Sequence, residues 1–351
     1  MEKYICIHGH FYQPPRENAW LEVIEVQDSA HPFHDWNERI AAECYAPNAA
    51  SRILNDKGVI KNIINNYSKI SFNFGATLLS WMETYDPETY EAILEADEAS
   101  KKNFSGHGSA IAQVYNHIIM PLANKRDKET QIIWGIRDFE FRFKRKPEGI
   151  WLAETAVDLE TLDLLVDHEI KFTILAPRQA KAIRKEGEAE YKKLETGINT
   201  KKAYWVELPS GRKIAVFFYD GDIAQGVAFN GLLNDGLKFA NSLTQSFDLS
   251  DAEPQIVNIA TDGETYGHHH KHGEMALAYC LDFIERSTSC ELTNYAEYLS
   301  KHQPTHYAQI HENSSWSCVH GVERWRSNCG CNTGGRSDWN QEWRKPLRES
   351  L

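Results

Sequence analysis

The sequence predicts an α/β fold, and a closed or nearly closed barrel rather than an open sheet. Short, nearly continuous apolar segments alternate with longer amphipathic segments along the chain. The apolar segments cover residues 4–7, 70–74, 149–152, 172–175, 214–218 and 256–260. Such runs are typical of parallel strands that helices cover on both faces. Polar residues follow these strands throughout the chain rather than at one switch point, and this distribution favours a barrel whose strand ends share one face.

The segments between the strands carry helix signals. Asp86 and Pro87 are typical of an N-cap followed by a first helical turn, and they predict a helix that starts there. Further helices are predicted over 127–144, 158–168 and 273–285. The charge-rich segment 181–202 is expected to be a solvated excursion between two strands. Strand and helix therefore alternate repeatedly, as α/β folds require.

Composition narrows the range of functions. The 351 residues have a net charge of −12 at pH 7, so the bulk charge does not support a nucleic-acid-binding surface. With 42% hydrophobic and 25% charged residues, the chain falls in the ordinary globular range. It has no long apolar run, no secretory signal pattern at its start and no nucleotide-binding glycine motif. Seven scattered cysteines indicate reduced thiols, and a soluble cytoplasmic protein without membrane contact is expected.

Two acidic positions at strand ends are the strongest candidates for catalysis. Glu154 follows the strand 149–152, and Asp262 and Glu264 follow the strand 256–260. A glutamate that opens a helix is often only a partner for the helix dipole, and for Glu154 taken alone this alternative stays open. Two acids two positions apart, followed by a histidine cluster that begins at His268, are harder to explain as scaffold.

Histidines and tryptophans accompany these acids. His8 and His10 end the first predicted strand, and Asp220 ends the strand 214–218. The candidate substrate-binding residues are His8, His10, Trp81, Trp151, Asp220, Glu264, His268, Trp316 and Trp325. Histidines and acids bind sugar hydroxyl groups, and indole rings stack on pyranose faces. Glycoside hydrolysis needs two carboxyl groups around a cationic, oxocarbenium-like transition state, so the residue types point to sugar chemistry.

The order of these motifs resembles glycoside hydrolase family 57, in its subgroup with a further C-terminal domain of unknown function. The resemblance covers essentially the whole chain and rests on residues 8–14, 74–81, 149–154, 261–268 and 314–325. It implies that Glu154 is the nucleophile and Asp262 the general acid/base, and that His10 and Glu264 bind the sugar. It also implies an incomplete, TIM-like (β/α)7 barrel that acts on α-glucans such as starch, glycogen and maltooligosaccharides.

This resemblance further implies retention of anomeric configuration by double displacement, with no required cofactor. The activity would be of the α-amylase, 4-α-glucanotransferase or branching-enzyme type, and the partner an α-glucan oligo- or polysaccharide. The neighbouring charges of Glu154 and Glu264 are expected to raise the pKa of Asp262 and keep it protonated at rest. The sequence gives no indication of oligomeric state.

The last part of the chain differs in composition. Residues 1–300 are predicted to form the catalytic barrel. The segment 301–351, rich in Trp, Cys and Gly, is predicted to close the barrel mouth and to begin a helical region at its end. Within it, Cys318, His320, Cys329 and Cys331 provide four donors for a structural zinc ion. Reduced thiols packed near the site are the alternative interpretation.

Two further functional alternatives stay open. His8, His10 and Asp262 provide donors for a catalytic metal, as in metal-dependent carbohydrate deacetylases with a similar partial barrel. The chain is alternatively a non-catalytic glucan-binding or regulatory protein that has kept the cleft. Loss of either carboxyl group would be the sequence sign of that second alternative, and both are present.

Overall fold

The computed structural model describes residues 1–287, 289–331 and 340–350, so part of the predicted C-terminal segment, 332–339 and 351, lies outside the described residues. The strands are β1 (Lys3–Phe11), β2 (Ser51–Leu54), β3 (Ile60–Ile64), β4 (Ser71–Phe74), β5 (Ala112–Gln113), β6 (Ile150–Trp151), β7 (Phe172–Leu175), β8 (Ala180–Lys185), β9 (Lys192–Lys193), β10 (Ala203–Glu207), β11 (Lys213–Phe218), β12 (Gln255–Asp262), β13 (Glu291–Leu292) and β14 (His306–Ile310). The helices are α1 (Trp36–Ile40), α2 (Ala46–Ala49), α3 (Ala76–Tyr85), α4 (Pro87–Asn103), α5 (Lys125–Phe143), α6 (Leu159–Asp167), α7 (Gly221–Phe229), α8 (Gly236–Thr244), α9 (Gly273–Ser287), α10 (Tyr295–Lys301), α11 (Glu323–Arg326) and α12 (Arg344–Ser350).

β1 pairs in parallel with both β12 and β4. It pairs with β12 along its length, up to the register pair His10↔Asp262. The second half of β1 also pairs in parallel with β4. Both faces of β1 and β12 are buried, as their nearly continuous apolar sequences predict. Because these strands run in the same direction, their carboxyl ends lie on one side of the sheet.

Further parallel contacts continue from β4. The bridge Phe72↔Ala110 joins β4 to the residues before β5, and β5 pairs with β6. The bridge Gly149↔Phe172 then joins the start of β6 to β7, and β7 pairs with β11. The strands β12, β1, β4, β5, β6, β7 and β11 therefore follow one another as parallel neighbours.

The last strand of this succession also contacts the first. The backbone N–H of Asp220, just after β11, donates to the carbonyl of Asn258 in β12 at 2.7 Å. The α/β class is thus confirmed. The incomplete (β/α)7 barrel stays a prediction, which the order of the parallel strands supports.

The charge-rich segment 181–202 is more structured than expected. β8 and β9 pair antiparallel within it, and a sheet continues in the order β7, β11, β10, β14, β8 and β9. Burial alternates at the start of β8, so the charged residues form the outer face of a strand. Most residues of 181–202 are exposed or half-buried, in agreement with the expected solvated excursion, and the segment also contains strands that were not predicted. β14, which lies beyond the predicted boundary at residue 300, belongs to this sheet.

The predicted helices are present with small changes at their ends. Asp86 caps α4, accepting a hydrogen bond from the N–H of Thr89 through its side chain, and Pro87 is the first helical residue. Asp158 caps α6 in the same way from Thr161. Within the described ranges, no helix combines the length and apolar character needed to cross a membrane.

Candidate active site

Glu154 and Asp262 lie at the carboxyl ends of two parallel strands. Asp262 is the last residue of β12 and is in register with His10 at the end of β1. Glu154 lies in a 3₁₀ turn, residues 153–155, that follows β6. Its φ of 57° is in the left-handed region, which is uncommon for a residue with a Cβ and often marks a functional position.

The turn after Asp262 depends on a glycine. A Cβ at Gly263 would lie 2.2 Å from Cδ1 of Phe11, so a larger residue would push this turn away from β1. The close approach brings Asp262 and Glu264, on either side of the glycine, near the end of β1. The position between Asp262 and Glu264 thus requires glycine for steric reasons.

Glu154 and Asp262 line one cavity of about 630 Å³. This volume is in the usual range for small-ligand sites, about 300–1,000 Å³. Trp316 and Trp325, which the sequence also predicts as substrate-binding residues, line the same cavity. Further side chains along its wall include Arg178, Tyr219, Gln225, Phe229, His269 and Arg324. Residues far apart in the chain therefore meet around a space that is large enough for a sugar.

The carboxylate of Glu154 accepts hydrogen bonds from the C-terminal segment. The indole Nε1 of Trp316 donates to Oε2 at 3.0 Å, and the hydroxyl of Ser317 donates to the same oxygen at 2.6 Å. The backbone is also tied, because the N–H of Trp316 donates to the carbonyl of Glu154 at 3.0 Å. Two donors on one oxygen fix the direction of the carboxyl group.

Asp262 is in a different environment. It is open to the cavity, but protein atoms surround it and displace much of its solvent. This desolvation, followed by the charge of Glu154, raises the pKa of Asp262 from 3.8 to about 6. The predicted direction agrees with the structure, but the expected cause was incomplete, because desolvation contributes more than like charge and Glu264 is not among the causes. Asp262 therefore holds its proton more readily than an ordinary aspartic acid does.

Glu264 is buried behind Asp262. Its Oε1 accepts from the hydroxyl of Tyr45 at 2.5 Å and from the backbone N–H of Tyr12 at 3.1 Å. Burial raises the pKa of Glu264 to about 7, and the charge of Asp262 adds to this effect although the hydrogen bonds oppose it. The predicted role of Glu264 as a sugar ligand stays a prediction, and the cavity wall described above does not include it.

A chain of buried side chains connects His8 to His10. His8 contacts Ser71 Oγ through Nδ1 at 3.0 Å and Asn73 Oδ1 through Nε2 at 3.1 Å. The amide nitrogen of Asn73 then contacts His10 Nδ1 at 2.9 Å, and His10 Nε2 contacts His117 Nε2 at 2.9 Å. Burial lowers the pKa of His8 to about 3 and holds that of His10 well below its usual value, so both rings are neutral near pH 7.

The hydrogen-bond directions in this chain follow from the amide of Asn73. An amide nitrogen only donates, so Nδ1 of His10 is the acceptor and its proton is on Nε2, facing His117. Likewise the amide oxygen of Asn73 requires the proton of His8 to be on Nε2, and Ser71 donates to its Nδ1. Each ring of the HxH motif is thereby held in one tautomer.

Trp151 supports the site from behind. It is fully buried, and its ring stacks on His8 and His10 with centroid distances of 5.0 and 4.9 Å. Trp316 contacts its ring edge-on, with the centroids 5.1 Å apart. A sugar has no exposed face of Trp151 on which to stack. This indole therefore positions the histidines and Trp316 in the present structure, and direct substrate contact stays a prediction.

Three further predicted residues are not among those that line the cavity. Trp81 is buried in α3, with its ring 5.9 Å from that of Tyr85. Asp220 caps α7 through the N–H of Ile223. The ring of His268 contacts Oε2 of Glu43 at 2.5 Å. Substrate contact by these three residues stays a prediction.

Several residues of the site were not predicted. His117 completes the histidine chain and Tyr45 holds Glu264, but neither belongs to a recognisable motif. Arg178 donates to the carbonyls of Ser315 and Trp316 and so fastens the segment that contacts Glu154. Only the position of Arg178, just after a predicted strand, was a sequence signal for its role.

Among the described residues, one group of side chains has the spacing of metal ligands. It consists of Cys318, His320, Cys329 and Cys331. The catalytic metal centre considered from the sequence is not favoured, because both ring nitrogens of His8 and of His10 already have protein partners.

Comparison with known proteins adds the family. The model of glycosyl hydrolase family 57 matches residues 4–311. In sequence, none of the curated proteins matches this chain.

Solved structures share the fold at low sequence identity. An exo-type maltose-forming amylase from a Pyrococcus species superimposes with a TM-score of 0.69 and 18% identity, over 99% of this chain and 61% of its own. A 4-α-glucanotransferase from Thermococcus litoralis gives a TM-score of 0.64 and 19% identity, over 93% of this chain and 44% of its own. A family 57 branching enzyme from Thermococcus kodakaraensis gives 0.65 and 16%, over 93% and 76%. The chain thus spans less than two thirds of the first two relatives.

Proposed function

We propose that this chain, which belongs to glycosyl hydrolase family 57, cleaves or transfers α-glucosidic bonds of α-glucans. One observation carries the proposal: Glu154 and Asp262, 108 positions apart in the sequence, line the same cavity in contrasting environments. The names of the structural relatives, an amylase, a glucanotransferase and a branching enzyme, support the α-glucan class.

The environments of the two acids suggest their roles. Two donors on Oε2 hold the carboxyl group of Glu154 in one direction, as a nucleophile requires, whereas Asp262, with a pKa of about 6, is suited to donating a proton. In the first step, the Glu154 carboxylate attacks the anomeric carbon while Asp262 protonates the departing oxygen. The products are a covalent glycosyl ester on Glu154 and an Asp262 carboxylate.

The second step restores both groups. The Asp262 carboxylate takes a proton from a water molecule or from a sugar hydroxyl, whose oxygen attacks the anomeric carbon and releases Glu154. Water gives hydrolysis and a sugar hydroxyl gives transfer. This retaining scheme expects the two carboxyl groups about 5–5.5 Å apart, against about 6.5–9.5 Å for inversion. The effect of Glu154 on the pKa of Asp262 shows that the two carboxyl groups lie within electrostatic range of each other.

The aromatic wall is suited to a sugar. Trp316 and Trp325 line the cavity, and Tyr219 adds a third ring. The hydrogen bond from Trp316 to Glu154 orients one indole beside the proposed nucleophile. We therefore expect the reacting sugar to lie between Glu154 and Asp262, with these rings along its faces.

Product analysis on maltooligosaccharides of defined length tests the proposal. Wild-type protein should produce new chain lengths, and Glu154→Gln should lower the rate by at least about 10³-fold because the nucleophile is lost. Glu95→Gln, at an exposed position of α4, is the matched control and should retain full activity. Transfer gives longer products without a matching rise in reducing ends. Binding of the glucans without any new product would favour the non-catalytic alternative and reject catalysis.

A further inference from the structure

Cys318, His320, Cys329 and Cys331 form a cluster in the C-terminal segment. One donor atom from each, three Sγ atoms and the imidazole Nδ1, lies within 4.8 Å of all the others. Cys318 is buried, Cys329 and Cys331 are half-buried, and His320 is exposed. We propose that these four side chains bind one zinc ion, and that this ion holds the loop that contacts Glu154.

The distances suit a tetrahedral ion. With Zn–S bonds of about 2.3 Å, the sulfur atoms of a tetrahedral site lie about 3.8 Å apart. The Sγ of Cys318 is 3.8 Å from that of Cys329 and 3.7 Å from that of Cys331. Zn–N bonds of about 2.0–2.1 Å place nitrogen about 3.5 Å from sulfur. The Nδ1 of His320 is 3.7 Å from Cys318 Sγ and 3.3 Å from Cys331 Sγ.

The kinds of donor atom in the cluster favour zinc over other metals and a structural over a catalytic role. Three thiolates and one imidazole are a common closed zinc set, which leaves no coordination position for a reacting water. A disulfide would use two of the sulfur atoms and would leave the third sulfur and the imidazole without a reason to converge. The backbone N–H of Cys331 donates to Sγ of Cys329 at 3.4 Å, as the outer shell of a thiolate ligand commonly does. On binding, each cysteine releases its proton to solvent and coordinates as a thiolate.

The ion would lie directly beside the cavity wall. Trp316 and Ser317, the two donors to Glu154, immediately precede the ligand Cys318. The helix α11, which carries Arg324 and Trp325, lies between the ligands His320 and Cys329. Zinc would thus close a loop whose inner residues form part of the cavity.

The loop has little apolar packing of its own. Among residues 314–331, Cys318 and Val322 are the buried hydrophobic side chains, at 3% and 1% exposure. Backbone hydrogen bonds from Asn313 and Val157 hold one end of the loop, and Arg178 holds the carbonyls of Ser315 and Trp316. The N–H of Val322 also donates to the carbonyl of Asn313 at 2.9 Å, and the hydroxyl of Ser315 donates to the carbonyl of Gly321 at 3.1 Å. The loop is thus fastened as far as Val322, and metal coordination would add a constraint on residues 323–331.

Metal analysis of the purified full chain tests the site directly. We expect about one zinc ion per chain in wild-type protein and in Cys280→Ala, whose cysteine is buried in α9 away from the cluster. Cys329→Ser and Cys331→Ser should each lose the metal. Cobalt loaded in place of zinc should show thiolate-to-metal charge transfer and the strong visible bands of tetrahedral coordination. Wild-type protein prepared with zinc that retains none, or a disulfide between cluster cysteines found by mass spectrometry, would overturn the proposal.

The effect on Glu154 rests on the proposed function and is tested separately. Chelator-treated protein should keep its far-ultraviolet circular dichroism but lose about tenfold or more in kcat/KM on maltooligosaccharides, and added zinc should restore the rate. Unchanged kinetics in metal-free protein would reject the link to Glu154. Zinc binding without any activity in untreated protein would instead reject the α-glucan function while the zinc site stands.

Discussion

Replacing Glu154 with Gln is expected to lower the pKa of Asp262. In wild-type protein, the pKa of Asp262 is raised from 3.8 to about 6 by two causes, desolvation and the charge of Glu154. The amide of Gln keeps the size of the side chain and one oxygen that can accept from Trp316 and Ser317, but it replaces the other oxygen with a donating NH2 group and removes the charge. The substitution therefore separates the two causes.

The expected size of the pKa change follows from which of the two causes is larger. The total rise of the pKa is about 2, and desolvation is the larger cause. The charge of Glu154 thus accounts for less than about half of it, so the pKa of Asp262 should fall by up to about 1 and lie between about 5 and 6 in Glu154→Gln.

Carbon-13 NMR of protein labelled at the aspartate side chains measures this pKa directly, and Asp262→Asn identifies the resonance. Glu264→Gln is the matched control: Glu264 has a pKa of about 7, so it is largely neutral while Asp262 titrates, and its loss should leave the pKa of Asp262 near 6. A wild-type pKa near 4, or no change in Glu154→Gln, would refute the assigned proximity of the two acids.

Three other predictions concern rate and stability. In the proposed mechanism Asp262 must be protonated to act as an acid. The kcat/KM on maltooligosaccharides should therefore be highest at a pH below the pKa of Asp262 and should fall as the pH rises through about 6. Trp316→Phe combined with Ser317→Ala removes both donors to Glu154 and should lower kcat about tenfold or more, with the fold intact by circular dichroism. Lys128→Met leaves two carboxylates without their buried partner and should lower the free energy of unfolding in urea by about 3 kcal/mol.

The positions of the predicted strands followed from local sequence, although β1 and β12 extend beyond the predicted ranges 4–7 and 256–260. The run from Phe172 to Leu175 is apolar throughout, and β7 covers that same range. Glycine and acidic residues directly after strands also have local causes, as the contact of Gly263 with Phe11 shows. Parallel strands place their carboxyl ends on one side, which supports the expectation that Glu154 and Asp262 share a site, whereas their separate roles came from the family resemblance.

Side chains that reach the site from other segments could not be predicted from local sequence. His117 and Tyr45 reach the site because of how their segments pack, and no spacing in the sequence relates them to His10 or Glu264. Trp81 is buried in α3, and a tryptophan near a motif is as well suited to the core as to a sugar, so its predicted sugar contact stays a prediction. Long-range packing, which a single sequence does not reveal, decides between these outcomes.

The proposed roles of Glu154 as nucleophile and Asp262 as general acid depend on contacts from the C-terminal segment. Both carboxyl groups line one cavity, and desolvation together with the charge of Glu154 raises the pKa of Asp262. The donors of Trp316 and Ser317 contact Oε2 of Glu154 and fix the direction of that carboxyl group. Under the proposed mechanism, a variant in which these two donors no longer reach Glu154 should therefore lose rate because its nucleophile is misdirected, while Asp262 keeps its raised pKa. The loop 314–331 would then act by positioning the proposed nucleophile.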